Sequence, residues 1–249
     1  MPFTTIAYSE SQDSATLARI AALADPHVTV NGDDVTVPEG LDQLLGFFFL
    51  GPNFTLGRLD SPQLRRFAPF DVEPADVAAE PASPSALHDF FETPTALKEN
   101  EILEAWMAED AAGASRVTAI VWLGDGPVAP VTGDIRTIRA TNATTLVANA
   151  WTNGALTLGS TLPAGRFQLV GARAQSAGLQ AFRFVPQRES IRPGAIGYDA
   201  DGDLESPRFR NGRAGSWFEF AHNALPTADF LSNSADTAQV LHLDLIQVS

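Results

Sequence analysis

The chain has 249 residues, with 30 Asp and Glu against 16 Lys and Arg, a formal net charge of −14. It holds no cysteine, and 45% of its residues are hydrophobic against 18% charged. This is a globular composition that excludes disulfide scaffolds, thiolate metal sites and cysteine nucleophiles; the negative charge opposes nucleic-acid binding by most of the surface.

The charge is unevenly placed. Residues 1–115 carry 19 acidic and 5 basic side chains, and residues 116–249 carry 11 of each, so the whole excess lies in the first half. Lys98 is the only lysine. A GC-rich genome would account for the bias to arginine; the other reading is that a planar guanidinium suits subunit interfaces.

The chain starts with neither a basic n-region nor an apolar h-region, so no secretory signal is expected. Phe3–Tyr8 alternates as a first strand. Asp13 or Ser14 then predicts a capped helix through Leu23, with Leu17, Ile20, Ala21 and Ala24 at helical spacing and Asp25-Pro26 as its stop. Asn31-Gly32-Asp33 between β-branched segments predicts a hairpin. Leu44–Leu50, the longest apolar run, is too short to span a bilayer. Its Phe47, Phe48 and Phe49 are expected either in a buried strand or in a contact between proteins. Phe54–Leu59 alternates again.

Residues 71–94 hold Pro74, Pro81, Pro84 and Pro94 among small and acidic residues and read as an extended arm. From Thr95 to Ala112 the residues Leu97, Ile102, Ala105, Trp106 and Met107 predict a second helix ended by Gly113. Beyond Arg116 short strands recur every 8–12 residues, split by turns such as Asn153-Gly154 and Asn211-Gly212. That spacing indicates a sandwich or barrel. In the last strand Leu241, Leu243 and Leu245 are expected to face the core. The expected organisation is an acidic half, 1–115, with short strands, two helices and the Pro-rich arm, followed by an antiparallel β-sandwich, 116–249. The fold class is mainly β, with two stacked sandwiches as the alternative.

Chemical motifs are few. His27, His88, His222 and His242 form no zinc-binding spacing, and no P-loop, dinucleotide fingerprint or nucleophile elbow occurs. Asp199, Asp201, Asp203 and Glu205 alternate around Gly202 like the start of a calcium loop, but no glutamate closes the loop as in an EF-hand. Calcium is therefore the one candidate ion; a polar hairpin tip neutralised by arginines is the alternative, and no other cofactor is expected. Arg208, Arg210 and Arg213 lie close by. With acidic residues interleaved, their cluster fits ion pairs between subunits better than nucleic acid. Glu219 and His222, near Trp217 and Phe218, are the nearest approach to an acid–base pair.

Leu162–Ala174, Asp229–Leu231 and Val240–Ile246 resemble strands of the jelly-roll coat proteins of icosahedral viruses, over roughly residues 116–249. The resemblance rests on strand style and no diagnostic motif, and it carries over no functional residue. It implies a capsid subunit, not an enzyme, that assembles with copies of itself, and with other capsid proteins as further partners, into a virion; otherwise a cytoplasmic protein is expected. A carbohydrate-binding sandwich using Trp122, Trp151 and Trp217 as stacking platforms is the alternative, and a β-sandwich enzyme the second.

Overall fold

The computed structural model describes residues 3–51, 53–66, 70–72, 87–109, 113–187, 189–199 and 206–248. They form two compact units: Ile6–Pro127, and Val128–Ser249 together with the first five residues.

The N-terminal unit contains β1 (Phe3–Gln12, from Ile6 onward), β2 (Ala18–Ile20), β3 (Thr29–Asn31), β4 (Asp34–Thr36), β5 (Gln43–Leu50), β6 (Phe54–Asp60), β7 (Phe70–Val72), β8 (His88–Asp89), β9 (Thr95–Ala96), β10 (Ile102–Glu109) and β11 (Ser115–Gly124). One sheet runs β1-β11-β5-β8, with β9 also on β5. The other runs β3-β4-β10-β6-β7, with β2 also on β10. The core between them includes Ile6, Tyr8, Leu44, Phe47, Phe49, Leu59, Leu103, Met107, Val117 and Val121. The buried Tyr8 hydroxyl donates to the Leu103 carbonyl at 2.7 Å, which satisfies the one polar atom that this large side chain brings inside.

The C-terminal unit contains β12 (Arg136–Asn142), β13 (Thr152–Ala155), β14 (Thr157–Leu158), β15 (Arg166–Gln175), β16 (Leu179–Val185), β17 (Gly194–Ile196), β18 (Phe218–Ala221), β19 (Thr227–Ser232) and β20 (Gln239–Gln247). Its sheets run β14-β12-β20-β15-β18 and β13-β19-β16-β17. Phe3 belongs to this core, meeting the Trp217 ring edge-on at 5.6 Å. Leu241, Leu243 and Leu245 are buried there as expected.

In an eight-stranded jelly roll the chain winds so that one sheet takes its first, eighth, third and sixth strands, and the other its second, seventh, fourth and fifth. The C-terminal unit has that order, with β12-β20-β15-β18 facing β13-β19-β16-β17 and β14 as an addition. The N-terminal unit repeats it: β1-β11-β5-β8 is one sheet and β4-β10-β6-β7 the other, the second strand being broken into β2 and β4, which both pair with β10, with β3 and β9 as additions. One winding pattern therefore occurs twice in succession.

Neither expected helix forms; the described residues contain no α-helix, only 3-10 turns at Leu64–Arg66 and Pro207–Phe209. Within the first, Ala18, Arg19 and Ile20 pair with Met107, Trp106 and Ala105. In the second, β9 and a turn lead into β10, where Leu103, Ala105 and Met107 are buried and Ile102 is 43% exposed. That burial has period two. Leu, Glu, Ala and Met favour helix intrinsically, and pairing on both sides with β6 and β2 overrides the preference. Between Asn31 and Asp34 the expected hairpin forms, with Gly32 at φ 65°. Of the expected arm, Phe70–Val72 pairs with β6 and His88–Asp89 with β5; Pro74, Pro81 and Pro84 lie outside the described residues.

Candidate functional site

The C-terminal unit has a cleft of about 570 Å³ beside β18. Six consecutive residues, Ser216 to Ala221, line it. Strand side chains alternate between faces, so a cleft that touches all of them runs along the strand's edge. Among the described residues β18 ends its sheet, pairing only with β15. His222 N–H donates to the Gly165 carbonyl at 3.0 Å and sets the ladder. Its alternation turns the main-chain N–H and C=O of Glu219 away from β15.

The opposite wall comes from the chain between β16 and β17, with Pro186, Gln187, Glu189 and Ile191, and from Pro226. Glu219 pairs with Arg166 at 3.0 Å, both side chains being substantially exposed. Burial, and secondarily the Glu219 charge, raise the pKa of Glu189. Among the described residues the cleft thus combines apolar walls, two carboxylates, one guanidinium and an open strand edge. It suits an extended segment that brings positive charge.

Two buried polar nodes hold this unit together. Asp244 is fully buried on β20. It accepts from Thr137 Oγ1 at 2.7 Å, from Arg210 Nε and Nη2 at 2.8 and 3.0 Å, and from Asn211 N–H at 2.8 Å. Burial alone would raise its pKa; these hydrogen bonds and the Arg210 charge outweigh it and hold the carboxyl below the usual value. Arg183, also fully buried, donates to Asp229 at 3.0 Å and to the Thr5 carbonyl at 3.0 Å. Its guanidinium lies 4.2 Å from the Trp151 ring centre, a cation–π contact made in a desolvated place.

The structure redistributes the residues singled out in the sequence. Phe47, Phe48 and Phe49 are each at most 1% exposed, on a strand buried on both faces. They are core of the chain itself and not an association surface: a continuous apolar run marks a strand covered on two sides. Arg210 is committed to Asp244. Arg208 donates to the Arg213 carbonyl at 3.1 Å, and Arg213 is exposed. Asp199 is half-buried, while Asp201, Asp203 and Glu205 lie outside the described residues. No group of three or more possible metal ligands occurs among the described residues. Trp122 and Trp217 are buried and offer no sugar platform, whereas Trp151 is half-buried with the Arg183 guanidinium over its ring. His222 Nδ1 accepts from Gly165 N–H, whereas Glu219 faces Arg166; the two are not brought together as an acid–base pair.

The cleft residues Arg166 and Glu189 escaped sequence reasoning because they come from separate strands and loops with no local spacing to join them. The Arg183–Asp229 pair left one signal: a charged residue inside each of two otherwise apolar strand patterns.

No family model matches the chain, and no curated protein does. Among solved structures it is similar to the major capsid protein P2 from bacteriophage PM2. The two share 11% identity at a TM-score of 0.22, over 94% of this chain and 98% of that one. Likeness at that level carries no weight for function. Among the described residues no helix is long and apolar enough to cross a membrane.

Proposed function

We propose that this chain is a coat subunit that assembles with copies of itself into a large shell, most directly the capsid of a virus. The observation that carries the reading is the jelly-roll winding order found twice in one chain. Jelly rolls recur in viral capsids, in lectins and in cupins, so the step from fold to function is one of analogy. The side chains favour the first of the three. A lectin reading needs exposed aromatic platforms, and Trp122 and Trp217 are core. A metal cupin needs converging histidines, and no such cluster occurs among the described residues. On this reading the protein acts by tiling, its partners are other copies, and its place is the particle.

Purified protein examined by sizing chromatography with light scattering and by negative-stain imaging should give capsomer-sized oligomers, rings or closed particles. A species that stays monomeric from micromolar to near-millimolar concentration, at low and high salt, would overturn the proposal.

A further inference from the structure

We propose that one sheet of the C-terminal unit continues from copy to copy, the β12 edge of one molecule entering the β18 cleft of the next. The inference rests on the self-assembly reading and names the contact that would make it.

β12 and β18 stand toward opposite ends of one sheet, β14-β12-β20-β15-β18. The β18 end is open along the cleft. At the other end β14 covers β12 only at Ala140 and Thr141, with Gly159 N–H reaching the Arg139 carbonyl at 2.8 Å. Among the described residues no strand pairs with Arg136, Thr137 and Ile138 on that side. Ladder alternation turns the main chain of Thr137 outward there, as it does that of Glu219 in the cleft. Each molecule therefore carries two short unpaired edges, and edges left open are templates for pairing.

Their charges are complementary. Among the described residues the cleft presents Glu189 and Glu219 beside the single guanidinium of Arg166; the free edge presents Arg136 and Arg139, both exposed. Arg136 pairs with Asp134 at 3.0 Å, both side chains being largely exposed, and such a pair resists exchange weakly. Faces agree as well. Thr137 pairs with Asp244 and Arg139 with His242, while Gln168 pairs with both Ile246 and Glu219. Arg139 and Glu219 thus project from the same face of the sheet. With Thr137 of the incoming copy opposite Glu219, its Arg139 stands on the diagonal at about 7–8 Å, within reach of long side chains. Unlike edges meet, so the contact is head-to-tail and closes into a ring if its rotation permits.

Charge reversal provides the test, read by analytical ultracentrifugation of the full chain at about 0.1 M salt. Glu219→Arg alone and Arg139→Glu alone should each weaken association at least tenfold, since each opposes like charges. An equimolar mixture of the two variants should restore it, with the variants alternating: each unlike contact in the mixture joins opposite charges. Glu219→Gln, which keeps the size of the side chain, should fall between wild type and Glu219→Arg, and thermal melting should show all variants folded. Variants that assemble like wild type, or folded single variants whose mixture does not assemble, would overturn the edge contact and leave the coat reading standing. A wild-type chain that does not associate would overturn both.

Discussion

Asp244 shows how far a single carboxylate can be committed. Its four acceptor interactions come from β12, from the residues after the Pro207–Phe209 turn, and from the backbone there. Even the adjoining strand is fitted around it: a Cβ on Gly171 would lie 2.9 Å from Asp244 Oδ2 and 2.8 Å from the Phe209 carbonyl. Replacing one partner of a buried pair strands the other, at a cost of about 3–5 kcal/mol. Asp244→Asn should lower stability by roughly 3 kcal/mol, measured by urea unfolding at neutral pH. The pH dependence has a definite sign. The folded pKa is depressed, so the contribution is present above the unfolded carboxyl value of about 3.9 and is lost as pH falls through the lower folded value. Asp236 adds to the same acid loss: its pKa is lowered because hydrogen bonds from Ser176, Thr237 and Ala177 outweigh its burial. Wild type should lose stability steeply below about pH 4, and Asp244→Asn less steeply. Equal slopes for the two proteins would contradict this account of the node.

At the scale of elements, β10 is the most informative. A helix over residues 95–112 would make Trp106 its packing anchor; a strand makes Leu103, Ala105 and Met107 the anchors. Trp106 lies on the outer face, where Arg19 stands 5.1 Å from its ring centre and its indole N–H donates to Glu104 at 3.1 Å. Leu103→Ala should therefore cost about 3 kcal/mol, and Trp106→Ala about 1 kcal/mol, the range of a half-exposed cation–π contact. Denaturant titrations giving the reverse order would favour a helix. Where the apolar alternation is long, the strand can be read from residues alone, as in β20 over Gln239–Gln247, whose Leu241, Leu243 and Leu245 face the core as expected. Where helix formers occupy a strand, periods of two and 3.6 compete within a short window, and only the neighbouring strands decide. Thr145–Ala148 shows the opposite limit, since its β-favouring residues yield no strand but an isolated bridge from Ala148 to Ser232. The cleft was illegible for a further reason: it is a property of a strand's edge, and sequence patterns report on faces.

For the whole molecule, the charge asymmetry follows the division into units. The residues of the N-terminal unit carry the net −14, and those from Val128 onward sum to zero. The first residues cross that division, because Phe3, Thr4 and Thr5 lie in the C-terminal unit. Phe3 is fully buried there, so Phe3→Ala should cost about 3–5 kcal/mol. The loss should appear as faster hydrogen exchange around Arg183 and Trp217, with amides of Leu44–Leu50 unchanged. Exchange rising only in residues near position 3 along the chain would show that the aromatic contact stabilises nothing beyond its own strand.

The same three residues order events in time. Thr5 N–H donates to the Arg192 carbonyl at 2.9 Å, and Arg192 N–H donates to Thr4 Oγ1 at 3.2 Å, a separation of 188 positions. A ribosome adding on the order of 10 residues per second leaves the opening strand without those partners for roughly 20 s. Those pairings thus form only after the intervening residues have been made, and a nascent chain carries Phe3–Thr5 without these partners while they are added.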